Sequence, residues 1–87
     1  MLFEWWCKDC LKEVYWKPNT NVVYRWKSLY VIQYTCTNCH KKEDWTFDEW
    51  SFDRRLEQLG ITVDKDTLEI RKELPQTTIR KYRGVMK

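Results

Sequence analysis

The chain of 87 residues has a single histidine, two glycines, two prolines and no long hydrophobic run, and each shortage closes a class of function. With His40 as the only imidazole there is no Ser-His-Asp arrangement. With only Gly60 and Gly84 there is no glycine-rich loop whose backbone N–H groups could cradle a phosphate. No stretch approaches the roughly 18 consecutive apolar residues of a membrane span, so no membrane partner is expected. A strong excess of one charge is also lacking. The formal balance is +3, well short of what a protein that coats nucleic acid usually carries. These absences leave the expectation of a non-enzymatic binding module.

What is present begins with four cysteines, all used in two C-x-x-C pairs, Cys7-Lys8-Asp9-Cys10 and Cys36-Thr37-Asn38-Cys39. In such a turn both sulfurs leave one tight loop and can meet the same ion. Two turns together supply the four thiolates of a closed tetrahedral zinc site. With no position left open, one Zn²⁺ per chain would hold the fold and perform no chemistry. Disulfide pairing is the weaker reading. The residues before Cys7 have neither the basic start nor the apolar run of an export signal, which makes a reducing, cytoplasmic compartment the expectation. A chain this short buries well under three quarters of its unfolded surface, so a staple contributing roughly 10 kcal/mol is comparable to its whole stability. Four thiolates and one Zn²⁺ bring the net charge to about +1.

Two other patterns share these residues. Cys36 to His40 fits C-x-x-C-H, the signature of covalent haem attachment, but that reading leaves Cys7 and Cys10 without a role. Trp6-Cys7-Lys8-Asp9-Cys10 has the form of a thioredoxin-type redox motif, yet β-formers follow it where that motif opens a helix. His40 is read as a solvated neighbour of the metal site.

Residues 2 to 6 and 11 to 17 mix aromatic, branched and charged side chains and predict a hairpin folded over the first knuckle. Pro18-Asn19-Thr20-Asn21 carries turn chemistry and is expected to end the second strand. From Val22 to Cys36 neither Gly nor Pro intervenes. The β-formers there predict one long strand with a bulge, or two strands with a bend, near Lys27-Ser28. Period-two alternation sets Val22, Tyr24 and Trp26 against Val23, Arg25 and Lys27, the second face being partly wet. After the second knuckle a polar return leads to the strand Trp45-Thr46-Phe47. The period then changes: Phe52, Leu56 and Leu59 at i, i+4 and i+7 predict a helix capped by Asp48 or Ser51, with Trp50 in its first turn and Gly60 as its stop. Its narrow apolar stripe should pack on the sheet. Short β-like runs at 61 to 63 and 68 to 71, around Asp64-Lys65-Asp66-Thr67, predict a second hairpin. Pro75 marks a boundary.

Two C-x-x-C knuckles on β-hairpins resemble the zinc ribbon, a family of small metal-stapled modules found in transcription factors, RNA polymerase subunits, ribosomal proteins and nucleic-acid enzymes. The likeness covers residues 2 to 47. It implies an antiparallel β zinc ribbon over 1 to 47; with the helix and short β-hairpin read above packed on it over 48 to 75 and a basic tail over 76 to 87, the expected fold is a small zinc-stapled α+β one. It implies Cys7, Cys10, Cys36 and Cys39 as ligands and DNA, RNA or a polymerase-type machine as partner. Two features depart from the family pattern. The spacer between knuckles is 25 residues, which points to an extended hairpin. Neither knuckle contains or precedes a glycine, which makes Asn38 the candidate for a left-handed position.

Residues 76 to 87 contain Arg80, Lys81, Arg83 and Lys87 and no acid. They could follow phosphates while Tyr82 stacks on a base, or form a plain solvated terminus. Arg25 and Lys27 beside Trp26, with Lys41 and Lys42, make a second basic patch unless they pair across strands with Glu13, Glu43 or Asp44. Six Trp and five Tyr are many for this length. Most should form the core, and one or two exposed Trp would mark a protein-binding hot spot. The leading expectation is a module acting on nucleic acid or on machinery such as RNA polymerase. The other is a small adaptor or inhibitor of the mobile-element kind, docking on one host protein through exposed Trp and the acidic helix of Asp48, Glu49, Asp53 and Glu57.

Overall fold

The computed structural model describes residues 2 to 73, so the tail residues Arg80, Lys81, Tyr82, Arg83 and Lys87 lie outside the described residues. Four strands form an antiparallel meander in the order β1-β2-β3-β4: β1 (Phe3–Cys7), β2 (Lys12–Trp26), β3 (Leu29–Cys36) and β4 (Lys42–Phe47). Helix α1 (Glu49–Leu59) follows, and a two-residue strand, β5 (Ile70–Arg71), pairs in parallel with the end of β2 at Arg25 and Trp26. Among the described residues no helix is long and apolar enough to cross a bilayer.

The bend expected at Lys27-Ser28 is a two-residue hairpin turn, closed by the pair Trp26↔Leu29, with Lys27 at φ 57°. The turn chemistry at Pro18–Asn21 does not end a strand, contrary to the sequence expectation. The chain continues along the same partner, and the register passes from Asn19↔Gln33 directly to Val23↔Ile32. Thr20, Asn21 and Val22 therefore have no counterpart on β3 and form a bulge, which lets a strand keep its partner across residues that cannot hold a regular ladder. Pro18 is tolerated because β1 stops opposite Trp16, so β2 has one neighbour there and a missing N–H costs little. The Asn19 amide pins the bulge by donating to Gln33 Oε1 and Thr35 Oγ1, both at 2.9 Å.

One sheet face carries the main core: Val14, Trp16, Tyr30, Ile32 and Tyr34, joined by Phe52 and Leu56 of α1. Phe52 stacks on Tyr30 with ring centres 4.6 Å apart, and Tyr34 stacks on Trp45 at 3.9 Å. Fully burying a side chain of this size contributes about 1.5–3 kcal/mol. The buried Trp16 satisfies its indole N–H on the Trp5 carbonyl at 3.1 Å. A smaller cluster of Tyr24, Trp26 and Val31 occupies the opposite face near the Lys27 turn. There the Tyr24 hydroxyl donates to Asp44 Oδ2 at 2.6 Å. Burial and the Asp44 carboxylate raise the phenol well above its ordinary range, so it stays a donor.

Helix α1 begins and ends where local chemistry dictates. Asp48 is the N-cap, accepting from the Ser51 N–H at 2.7 Å, and that bond lowers its carboxyl below the usual value. Gly60 takes φ 71°, with Gly60 N–H to the Glu57 carbonyl and Ile61 N–H to the Leu56 carbonyl, both at 3.1 Å. This pair of bonds is a Schellman closure. The second hairpin does not form. Asp64 to Thr67 is a turn, as read, but residues 61 to 63 are not a strand. Ile61, Val63 and Leu68 pack against the main core, and the chain reaches β2 through the Arg25 N–H to Glu69 carbonyl bond at 2.8 Å. Burying three apolar side chains on a larger core outweighs an isolated two-stranded hairpin, which is marginal in water.

Candidate metal centre

In an up-and-down meander the β1–β2 and β3–β4 connections fall at the same end of the sheet. That places both C-x-x-C turns side by side. The two knuckles are built alike. Cys7 and Cys36 are the last residues of their strands. Leu11 N–H donates to the Cys7 carbonyl at 2.8 Å, and His40 N–H donates to the Cys36 carbonyl at 2.9 Å. The residue after each second cysteine is left-handed, Leu11 at φ 57° and His40 at φ 68°. Asn38 is not the left-handed residue, which corrects the sequence expectation. The position lies one step beyond the second cysteine, where a glycine is the comfortable choice.

Side-chain and backbone contacts also tie the second knuckle to β2 and to the first knuckle. Thr37 donates to the Tyr15 carbonyl through both its N–H, at 3.0 Å, and its hydroxyl, at 2.8 Å. Lys41 Nζ lies 3.7 Å from Asp9 Oδ2 of the first knuckle. Lys41 also sits 4.0 Å from the buried Glu43 carboxylate, which the Trp45 indole N–H reaches at 3.4 Å. Lys41 thus has acidic neighbours, but not by the expected cross-strand pairing: Glu43 lies two residues along the same segment and Asp9 belongs to the other knuckle.

The four sulfurs converge. Cys7, Cys10, Cys36 and Cys39 place their Sγ atoms all within 4.8 Å of one another, with Cys7 to Cys39 at 3.7 Å and Cys10 to Cys36 at 3.9 Å. None is disulfide-bonded. Cys7 and Cys36 are buried, Cys10 is half-buried and Cys39 is exposed. Polar hydrogens surround the sulfurs: Asn38 Nδ2 donates to Cys10 Sγ at 3.1 Å, and the N–H groups of Asn38 and Cys39 both approach Cys36 Sγ at 3.4 Å. Burial pushes the Cys36 thiol up, but the Cys39 and Asn38 N–H groups outweigh it and bring it down to about 7. Burial raises the Cys7 thiol. At Cys39 the Lys41 N–H favours the thiolate, yet desolvation and the sulfurs of Cys10, Cys36 and Cys7 prevail and push it up to about 12. Four sulfurs this close cannot all carry charge against one another, and a metal cation is the partner that removes the conflict. The cluster is of a size and chemistry to hold one metal ion.

The other candidate residues are scattered. Arg25 is half-buried with its guanidinium 5.2 Å from the centre of the Tyr30 ring, on the face that α1 covers and not on a wet one. Lys27 is exposed and lies 4.9 Å from the centre of the Trp26 ring. Trp26 belongs to the small core. Among the tryptophans, Trp5, Trp6 and Trp50 are exposed, at 43%, 46% and 67%. Two features escaped the sequence reading. One is the Asn38 amide on a sulfur of the other knuckle. The other is Arg55, whose guanidinium lies among aromatic rings. A helical reading of charge gives a signal for the second: the positions three and four away from Arg55 are Ser51, Phe52, Gln58 and Leu59, and none is acidic. Compared with known proteins, the chain matches no family model, no curated protein and no solved structure.

Proposed function

We propose that this chain is a non-enzymatic zinc-ribbon module that acts on nucleic acid or on the machinery that handles it, such as a polymerase, with one structural Zn²⁺ held by Cys7, Cys10, Cys36 and Cys39. The observation that carries this reading is the pair of matched knuckles whose sulfurs meet at one point. A tetrahedron of sulfurs around Zn²⁺, with Zn–S near 2.3 Å, has edges of about 3.8 Å; Cys7 to Cys39 is 3.7 Å and Cys10 to Cys36 is 3.9 Å, with all four sulfurs within 4.8 Å of one another. A set of four thiolates leaves no open position for substrate, so the metal serves the fold. Charge distribution supports contact with an acid backbone through a restricted region. Residues 2 to 73 hold all thirteen acids and only twelve of the sixteen cations, and the excess cations fall in residues 76 to 87. Arg80, Lys81, Arg83 and Lys87, with Tyr82, are the proposed strand contacts, joined by Lys27 and less directly by Arg25.

A second reading, a protein-docking adaptor, is favoured by the exposure of Trp5, Trp6 and Tyr15 on the first hairpin. The acidic helix is a poorer docking element than its sequence suggests, because Glu49 and Asp53 both hold Lys65, at 3.0 and 2.9 Å. The two readings separate in one titration of the metal-loaded protein against single- and double-stranded DNA and RNA at two salt concentrations. The nucleic-acid reading expects binding that weakens steeply with salt and is lost when residues 76 to 87 are removed. No binding at low salt overturns it. The adaptor reading expects Trp6→Ala to abolish capture of a partner with zinc content unchanged.

A further inference from the structure

A groove of about 290 Å³ lies between α1 and the end of β4, lined by Phe47, Ser51, Arg54, Arg55 and Gln58. Arg55 is the unusual residue in it. Its side chain is half-buried, with the guanidinium carbon 4.0 Å from the centre of the Phe3 ring, 5.0 Å from that of Phe47 and 5.7 Å from that of Tyr34. Nε donates to Gln58 Oε1 at 3.2 Å, and Nη1 donates to the Tyr34 hydroxyl. A guanidinium has five N–H donors, so these two bonds fix its plane and leave a fork of three.

Neither Arg54 nor Arg55 forms an ion pair among the described residues. Every Asp and Glu of the sequence lies within residues 2 to 73, so no other side-chain carboxylate of the chain is left to neutralise them. The helix itself is divided by charge. Glu49 and Asp53 turn to Lys65 on one flank, and Ser51, Arg54, Arg55 and Gln58 line the groove on the other. A partly buried cation without a counter-charge is costly, and the aromatic rings offset only part of that cost. An anion in the groove removes the imbalance.

We propose that this groove is a phosphate pocket that receives one phosphate of a nucleic-acid strand, an inference that rests on the nucleic-acid reading above and assigns it a site in the folded body. Two guanidiniums, the Ser51 hydroxyl and the Gln58 amide nitrogen offer donors from several directions. A strand phosphate sets two charged non-bridging oxygens and two weaker ester oxygens tetrahedrally about phosphorus, so it can accept from more directions than the two coplanar oxygens of a carboxylate. The aromatic rings hold Arg55 in place before the ligand arrives, which suits the bidentate geometry that arginine makes with phosphate. Phe47 supplies an apolar wall beside the anion, where a sugar or base can rest. A volume at the lower end of small-molecule sites fits a nucleotide unit better than a larger ligand.

The test uses the full metal-loaded chain and its Arg54→Gln and Arg55→Lys variants. Arg54→Gln alters an exposed residue outside the core, so the test survives if Arg55→Lys fails to fold. Inorganic phosphate and a short oligothymidylate are the probes, with amide NMR shifts and calorimetry as readouts. The expected result is that phosphate shifts the amides of Ser51, Arg54 and Gln58, and that each variant binds the oligonucleotide about tenfold more weakly with melting temperature and zinc content unchanged. Oligonucleotide binding equal in all three proteins overturns the pocket and leaves the nucleic-acid reading standing on the tail. Phosphate shifts without oligonucleotide binding overturn the strand as the ligand, and the nucleic-acid reading falls with it. No response to either probe overturns both.

Discussion

Leu11 and His40 hold the two knuckles in a conformation that L side chains adopt reluctantly, at a cost of roughly 1–2 kcal/mol each. Leu11 is 74% exposed, so its side chain contributes little packing in return. Comparing Leu11→Gly with Leu11→Ala isolates the backbone effect, since both remove the side chain. The glycine variant is expected to be the more stable by about 1 kcal/mol in thermal melts of the metal-loaded protein, the reverse of the usual order within a strand. Equal melting temperatures would sink the assignment of strain at this position. Asn38 has a different task. Its amide donates to a sulfur of the opposite knuckle, and groups that orient or hydrogen-bond metal ligands typically change affinity by 10–100-fold. Asn38→Ala should therefore lower zinc affinity by about tenfold in a competition with a chromogenic chelator, with the fold of the loaded protein unchanged.

The elements divide by how local their causes are. Helix α1 was legible because its cap, its apolar spacing and its stop all lie within a dozen residues, and Asp48, Phe52, Leu56 and Gly60 do what their positions imply. The cysteine pairs were legible for the same reason, each knuckle being a closed turn. The bulge at residues 20 to 22 was not, because the same Pro-Asn-Thr-Asn signal fits a chain reversal or a bulge, and only the pairing of β2 with β3 decides. The strand character of residues 68 to 71 was legible but the partner of β5 was not, on similar grounds: Ile70 and Arg71 pair with Arg25 and Trp26, far away in the sequence, and not with residues 61 to 63. Where the second sheet face closes, the Tyr24 hydroxyl satisfies the buried Asp44 carboxylate. Tyr24→Phe removes that donor and keeps the ring. It should cost about 1–3 kcal/mol in urea unfolding of the loaded protein, and a change within error would show that Asp44 is served by other donors.

Taken as a whole, the molecule is an unequal body. Its far end is held by the Tyr24 and Trp26 cluster, its middle by α1 on the main core, and its cysteine end by Thr37, Lys41 and the sulfur cluster. Cys7 and Cys36 belong to the main core as well as to the cluster, so metal and packing should act on one cooperative unit. Chelation is then expected to abolish the cooperative melt, and re-addition of zinc under reducing conditions to restore it. An unchanged melt after chelation would mean that apolar packing alone holds the sheet.

The proposal depends before all else on one ion bound by four thiolates. Native mass spectrometry of the reduced, zinc-treated protein, recorded with and without a thiol-alkylating reagent, reads both the number of ions bound and the number of cysteines the metal protects. The expected species carries one Zn²⁺ and resists alkylation at all four cysteines, and any single Cys→Ser variant at Cys7, Cys10, Cys36 or Cys39 loses the metal or holds it far more weakly. A metal-free chain with four intact thiols, under conditions where the fold is present, would contradict the metal-stapled ribbon.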